Sequence, residues 1–213
     1  MEIETFTLGP FETNCSLVTD AGELWVVDAS FDPQEMIDRV RELGIVPKAI
    51  VLTHAHVDHI AGVADVRRAF PGTPVWIHRD EQEWLADPVL NLSAMMGQSI
   101  TAPGPDRLLA DADELTLGNT HWRVLHTPGH SPGGVAFYCA QPGGGGAPVL
   151  IGGDALFAGS VGRSDFPGSD PATLARSIRT RLYTLPDDTI VYPGHGPTTT
   201  IGREKRSNPF VRA

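Results

Sequence analysis

The sequence is poor in cysteine, poor in positive charge and free of long apolar stretches, and each shortage excludes a class of protein. Two cysteines in 213 residues, Cys15 and Cys139, show no C-x-x-C spacing. A small secreted scaffold carries more, so a reducing cytoplasm is the expected setting, with both thiols buried in strand-like runs. Lys and Arg number 16 against 26 Asp and Glu, a net charge of −10. Such a surface repels phosphate backbones and excludes general nucleic-acid binding. No apolar run approaches the ~20 residues of a membrane-spanning helix. Glu2 and Glu4 stand where an export signal would carry a basic patch before an apolar stretch. No fixed-period repeat is present. The glycine-rich run 142–148 has neither the G-x-G-x-x-G nor the Walker spacing, and two strand-like flanks make it a hairpin loop.

What the sequence does contain is punctuation. Eighteen prolines and 23 glycines cut it into short segments. A chain of this length is expected to form one domain, 1–213, with a sizeable core. Strand-like runs occur at 2–8, 14–19, 23–28, 48–53, 74–78, 113–117, 120–126, 134–140, 148–152 and 189–192. Helical patterns occur at 33–43, 59–70, 79–86 and 170–183. In the first, Met36, Ile37, Val40 and Leu43 form one stripe at helical spacing, as a core-facing helix does. Helices scattered among hairpin-like strands point to layered sheet and helix.

Eight histidines carry the chemistry, and three crowd into Thr53-His54-Ala55-His56-Val57-Asp58-His59 behind the apolar run Ala49-Ile50-Val51-Leu52. Residues two apart in an extended segment point the same way, so His54 and His56 can converge on one cation. Asp58 and His59, adjacent in a tight turn, can aim at a neighbouring point. Asp58 alone would read as a helix N-cap; three histidines and an aspartate at a strand-to-helix turn read as a metal site. Imidazole and carboxylate suit zinc, iron or manganese.

A second group shares one local setting, a strand end or turn flanked by glycine: His130 in Pro128-Gly129-His130-Ser131-Pro132-Gly133, Asp154 after Ile151-Gly152-Gly153, and His195 between Gly194 and Gly196. Glycine allows the close backbone approach that converging loops need. His78, His121 and His126 lack that setting and are expected to be structural or surface residues. The run Gly129-His130-Ser131-Pro132-Gly133 matches the G-x-S-x-G nucleophile elbow in form only. Pro132 has no N–H to offer an oxyanion, and strand-like sequence follows where the elbow requires a helix.

The ordered string His54-x-His56-x-Asp58-His59, His130, Asp154, His195 resembles the metallo-β-lactamase superfamily, with Asp28 matching its strand-end aspartate. The resemblance implies an α+β fold, an αββα sandwich of two mixed sheets flanked by helices with metals at one edge. It implies two divalent ions per chain, zinc first, with iron or manganese accepted by the same donors. His54, His56 and His130 would hold one ion; Asp58, His59 and His195 the other; Asp154 would bridge, and Asp28 would orient a ligand from outside. Within the superfamily, Gly9-Pro10-Phe11-Glu12-Thr13-Asn14-Cys15, Gly153-Asp154-Ala155-Leu156-Phe157-Ala158-Gly159-Ser160-Val161-Gly162-Arg163-Ser164-Asp165, Pro193-Gly194-His195-Gly196-Pro197 and the tail from Gly202-Arg203-Glu204 to Asn208-Pro209-Phe210 resemble short glyoxalase II-like hydrolases.

That resemblance implies cleavage of a small-molecule thioester of the S-lactoylglutathione type by hydroxide held on the metals, with Asp58 or Asp154 accepting a proton. Arg163 stands where longer relatives carry a substrate-contacting lysine and is the expected substrate-binding residue. Arg203, Lys205 and Arg206 are weaker candidates, since a solvated helix face explains them. Longer glyoxalase II enzymes continue into a glutathione-holding helical domain. Here 18 residues follow His195, which leaves the thiol of the substrate open. The segment 88–105, with Met95, Met96 and Gly97, reads as a surface connection before a lid. The first alternative is a mononuclear iron persulfide dioxygenase, whose motif string is similar; Pro193-Gly194-His195-Gly196 looks more like the hydrolases. A further alternative is a non-catalytic metal-binding or thiol-sensing module.

Overall fold

In the computed structural model, which describes residues 1–212, the first half of the chain lays its strand-forming runs into one mixed sheet. Its strands are β1 (Glu2–Leu8), β2 (Thr13–Asp20), β3 (Glu23–Val27), β4 (Ala49–Val51), β5 (Val75–His78) and β6 (Arg107–Leu109), in that spatial order. The first three pair antiparallel through tight turns, and β3 to β6 run parallel. Parallel neighbours need crossover connections. These are α1 (Gln34–Leu43), then α2 (Val57–Ile60) with α3 (Val63–Ala69), then the 3₁₀ helices Arg79–Ala86 and Ser93–Met96. Because β3 and β4 are parallel, the residues after both strands, Asp28 and Leu52 onward, leave at the same sheet edge.

The second half forms another mixed sheet from β7 (Glu114–Leu117), β8 (Thr120–His126), β9 (Val135–Cys139), β10 (Val149–Gly153), β13 (Ile190–Pro193) and β14 (Thr199–Thr200). The short hairpin β11 (Leu156–Phe157) and β12 (Ser160–Val161) stands apart from it, and the spatial order of the sheet is β14-β13-β10-β9-β8-β7. Helix α4 (Pro171–Ser177) runs into a π-helical turn at Ile178–Leu182, and α5 is Ile201–Ser207. Strands β10 and β13 are parallel, while β9 opposes β10. The residues following β10 and β13 and those preceding β9 therefore share one edge.

By contact density the chain divides into two compact units, Met1–Leu109 with Leu117–Asn119, and Ala110–Thr116 with Thr120 onward. Each has its own apolar cluster. In the first, Met36, Ile37 and Val40 of α1 pack with Leu24, Val26, Ile50 and Ile77, so the expected helical stripe faces a core. In the second, Leu174, Ile178 and Leu182 pack with Leu150, Leu156 and Val191. Fully burying such a side chain contributes about 1.5–3 kcal/mol.

Three sequence expectations change in detail. The helix expected at 59–70 is two pieces, α2 and α3, broken around Gly62. There the chain passes so close to the loop after β3 that a Cβ at Gly62 would fall 2.2 Å from the Ser30 carbonyl. The run 170–183 is an α-helix that widens into a π-helical turn, and 79–86 is 3₁₀. Strands β6, β11, β12 and β14 have two or three residues each, too few to show a period. The segment 88–105 is a connection with a buried centre at Asn91–Ser93: the Asn91 amide donates to the Trp84 and Ile100 carbonyls at 3.2 and 2.9 Å. Among the described residues, no helix is long and apolar enough to cross a membrane.

Candidate metal centre

In the first unit the donor turn hangs between β4 and α2. Asp28, immediately after β3, adopts a left-handed backbone conformation with φ 58°, which costs a non-glycine residue about 1–3 kcal/mol. The conformation aims its carboxylate across the sheet edge. It accepts the Thr53 N–H at 2.8 Å, the Thr53 hydroxyl at 2.7 Å and the His59 ring Nδ1–H at 2.8 Å. His54, His56 and His59 are all buried. Ligand atoms of His54 and His56 lie within 4.8 Å of each other, as do those of His54 and His59 and those of Asp58 and His59. Asp58 sits in the first turn of α2, whose N-cap is His56. Its Oδ2 is held by the Thr13 hydroxyl at 2.9 Å and lies 3.4 Å from His59 Nε2.

In the second unit the donors come from separate strand ends. His130, before β9, donates from Nδ1 to the Arg163 carbonyl at 2.7 Å, and Ser169 donates to the His130 carbonyl at 2.6 Å. Asp154, after β10, places Oδ2 at 3.5 Å from His130 Nε2 and 3.4 Å from His195 Nε2. The Phe157 ring stands edge-on to His195, centroids 5.9 Å apart. Gly162 makes this convergence sterically feasible. A Cβ there would lie 1.9 Å from the Asp154 carbonyl oxygen, closer than atoms can approach, and a tight 3.1 Å from His130 Nδ1.

The hydrogen bonds assign the ring tautomers. The Arg163 carbonyl can only accept, so His130 carries its proton on Nδ1. The Asp28 carboxylate accepts from three donors, so His59 does likewise. The Thr53 hydroxyl donates to Asp28 and can only accept from the His54 Nδ1 beside it at 3.1 Å. With Nδ1 engaged in this way, Nε2 is the atom each ring offers to a metal when neutral. For His59 and His130 Nε2 faces a carboxylate oxygen at 3.4 and 3.5 Å, a nitrogen and an oxygen donor side by side as a shared cation requires. Nitrogen and oxygen donors with fixed outer partners and no thiolate fit zinc, iron or manganese.

Several other residues singled out from sequence have partners of their own. The exposed Arg163 side chain pairs with Asp165 at 2.9–3.0 Å and lies 4.2 Å over the Phe166 ring, so the residue serves His130 through its backbone. Lys205 and Arg206 pair with Asp187. His121 is exposed, His78 accepts from the Asp80 N–H at 3.3 Å, and His126 donates to the Pro132 carbonyl at 2.8 Å. Ser131 is buried and followed by strand β9 rather than by a helix. Cys15 is buried, which pushes its thiol well above the usual range, and Cys139 is buried as well. Sequence reading did not assign Thr13, Thr53, Ser169 or Gly162 to the site. Thr13, Thr53 and Gly162 stand inside the motif stretches that carry the resemblance or the donor cluster, whereas Ser169 gives no signal at all.

Comparison with known proteins agrees with this geometry. The family described as the metallo-beta-lactamase superfamily matches residues 8–195. Hydroxyacylglutathione hydrolase GloC of Haemophilus influenzae is 37% identical over 216 residues, covering 100% of this chain and 99% of its own. The crystal structure of the BLEG-1 B3 metallo-beta-lactamase is 40% identical with a TM-score of 0.92 and covers 100% of both chains. That of TTHA1623 in a di-iron-bound form is 40% identical with a TM-score of 0.83, covering 98% of this chain and 100% of its own. The α+β fold with two mixed sheets, the His and Asp donors and these similarities make the chain a member of the metallo-β-lactamase superfamily, a metallo-hydrolase.

Proposed function

We propose that His54, His56, Asp58 and His59 of the first unit and His130, Asp154 and His195 of the second together serve one centre of two divalent metal ions, zinc foremost. The proposed reaction is hydrolysis of a small-molecule thioester of the S-lactoylglutathione type. The reading is carried by the ordered seven-donor string inside an end-to-end similarity to a hydroxyacylglutathione hydrolase. The di-iron-bound relative supports the count of two ions.

Two such ions, when bound, supply Lewis acidity for a carbonyl oxygen and lower the pKa of an attacking water. The chain's own residues do the rest. Asp28 and the Arg163 carbonyl hold His59 and His130 in the tautomer that offers Nε2. Thr13 keeps Asp58 from rotating away. In this reading Asp58 or Asp154 would accept the proton from the attacking water. With the Arg163 side chain paired to Asp165, contact with a substrate carboxylate requires that pair to open. The net charge of −10 argues against nucleic acid or anionic membrane as a partner.

The test is elemental analysis of protein purified without added metal or chelator, followed by a panel of 2-hydroxyacyl thioesters. About two ions per chain and thioester turnover support the reading. One iron per chain with persulfide-dependent oxygen uptake would replace it with a dioxygenase. Turnover of β-lactams in place of thioesters would move it to the activity named for BLEG-1. Full metal loading with no turnover of any substrate would leave a metal-binding or thiol-sensing module.

A further inference from the structure

The donor turn is irregular backbone, and one segment of the first unit supports three of its successive residues. Glu81, in the 3₁₀ helix Arg79–Ala86, is fully buried, and its Oε2 accepts the N–H of Ala55 at 2.6 Å. Ala55 is the residue between His54 and His56. One turn on, the Trp84 ring lies beside the His56 ring, centroids 5.7 Å apart and 37° between planes. Further along, the Asn91 carbonyl accepts the Val57 N–H at 2.9 Å, and the Asn91 amide is fixed in turn by the Trp84 carbonyl at 3.2 Å. Residues 55, 56 and 57 are thus each gripped by residues 81, 84 and 91.

An acidic side chain is expensive to bury unless it satisfies donors, and an apolar residue would fill the same volume without that cost. Here one carboxylate oxygen accepts the peptide N–H that lies between the two histidines. Two rings sharing an ion must be held within a few tenths of an ångström, and outer partners that do this for metal ligands change affinity by about 10–100-fold when removed. We propose that Glu81 is a positioning residue for His54 and His56 and that the segment 79–91 sets the metal affinity of that half of the centre. The inference rests on the metal-centre reading given above.

The experiment strips the full-length protein with a chelator and titrates zinc against a chromophoric competitor. Cobalt(II) absorption is recorded in parallel, for wild type, Glu81→Gln, Glu81→Ala and Trp84→Phe. Glutamine still presents a carbonyl to Ala55 but without charge, so about a tenfold loss of affinity for one ion is expected. Alanine leaves the N–H unserved, and a loss nearer 100-fold is expected. The cobalt spectrum changes in both, while the metal-free Glu81→Gln protein melts close to wild type. If the alanine variant does not fold, Glu81→Gln and Trp84→Phe carry the test, each expected to weaken binding. Zinc affinity and cobalt spectra equal to wild type in the folded variants would overturn the inference, as would a lowered melting temperature with unaltered metal binding. Wild-type protein that takes up no zinc or cobalt would overturn the metal centre itself, and this inference with it.

Discussion

The two donor groups are built on opposite principles. In the first unit four donors occupy six consecutive residues, 54–59, and the fold surrounds that single turn with the adjacent Thr53 and with partners from distant parts of the unit: Thr13, Asp28 and Glu81. In the second unit three donors follow or precede three different strands. They meet at a sheet edge through backbone contacts, the Arg163 carbonyl on His130 and the closeness allowed by Gly162. A local cluster obtains its geometry from side chains around it. A dispersed set obtains it from the register of β9, β10 and β13. The first should therefore be sensitive to single polar substitutions, and the second to changes that shift backbone.

The strongest way to break that contrast is to remove a donor from each side. His59→Ala and Asp154→Ala should each lower kcat/KM on a cleaved thioester by more than about 100-fold, exceeding what loss of an outer partner does, and should lower metal content per chain. A variant of either kind with full turnover would remove that residue from the centre. Asp28→Ala comes next. It strands the buried Thr53 N–H and frees the His59 ring, at a cost of about 1–3 kcal/mol for the unmet donor. Alanine keeps a Cβ in the left-handed backbone and lacks the local hydrogen bonding by which aspartate tolerates it, so the strain adds to that cost. Metal affinity should fall about 10–100-fold, read by competition titration alongside chemical denaturation.

Gly162→Ala is the matching test in the second unit. Its new methyl overlaps the Asp154 carbonyl, so a loss of about 1–3 kcal/mol is expected. Metal content should fall although no donor atom has been removed. Thr13→Val sharpens the contrast more gently, removing one hydroxyl from Asp58 for about 1 kcal/mol and lowering affinity at that ion. Arg163→Ala should have the smallest effect on stability, about 0–1 kcal/mol, because its pair with Asp165 is exposed. Metal content should be unchanged because the backbone carbonyl serving His130 remains. A rise in KM without a fall in metal content would make Arg163 a substrate contact.

Legibility followed the same contrast. His54, His56, Asp58 and His59 could be read from spacing because period-two alternation and a strand-to-helix turn are local properties. The stripe Met36, Ile37, Val40 was equally readable, and all three residues are buried on one face of α1. His130, Asp154 and His195 were visible as glycine-flanked strand ends, but their meeting depends on strand order. The helix broken at Gly62 was illegible because its cause, the Ser30 carbonyl, lies 32 positions upstream. Glu81 was illegible for the same reason. As one acid among several on a short helix, it is distinguished only by which peptide N–H it meets.

The sequence by itself determined the donor chemistry, the acidic character and the alternation of strands and helices, since residue type and short-range period carry these. Tertiary structure alone decided which ring nitrogen of His54, His59 and His130 is available and why Asp28 tolerates a left-handed backbone. It also decided which side chains grip the donor turn. Those outcomes are set by hydrogen bonds between residues far apart in the chain, and such bonds leave no periodic mark in the order of amino acids.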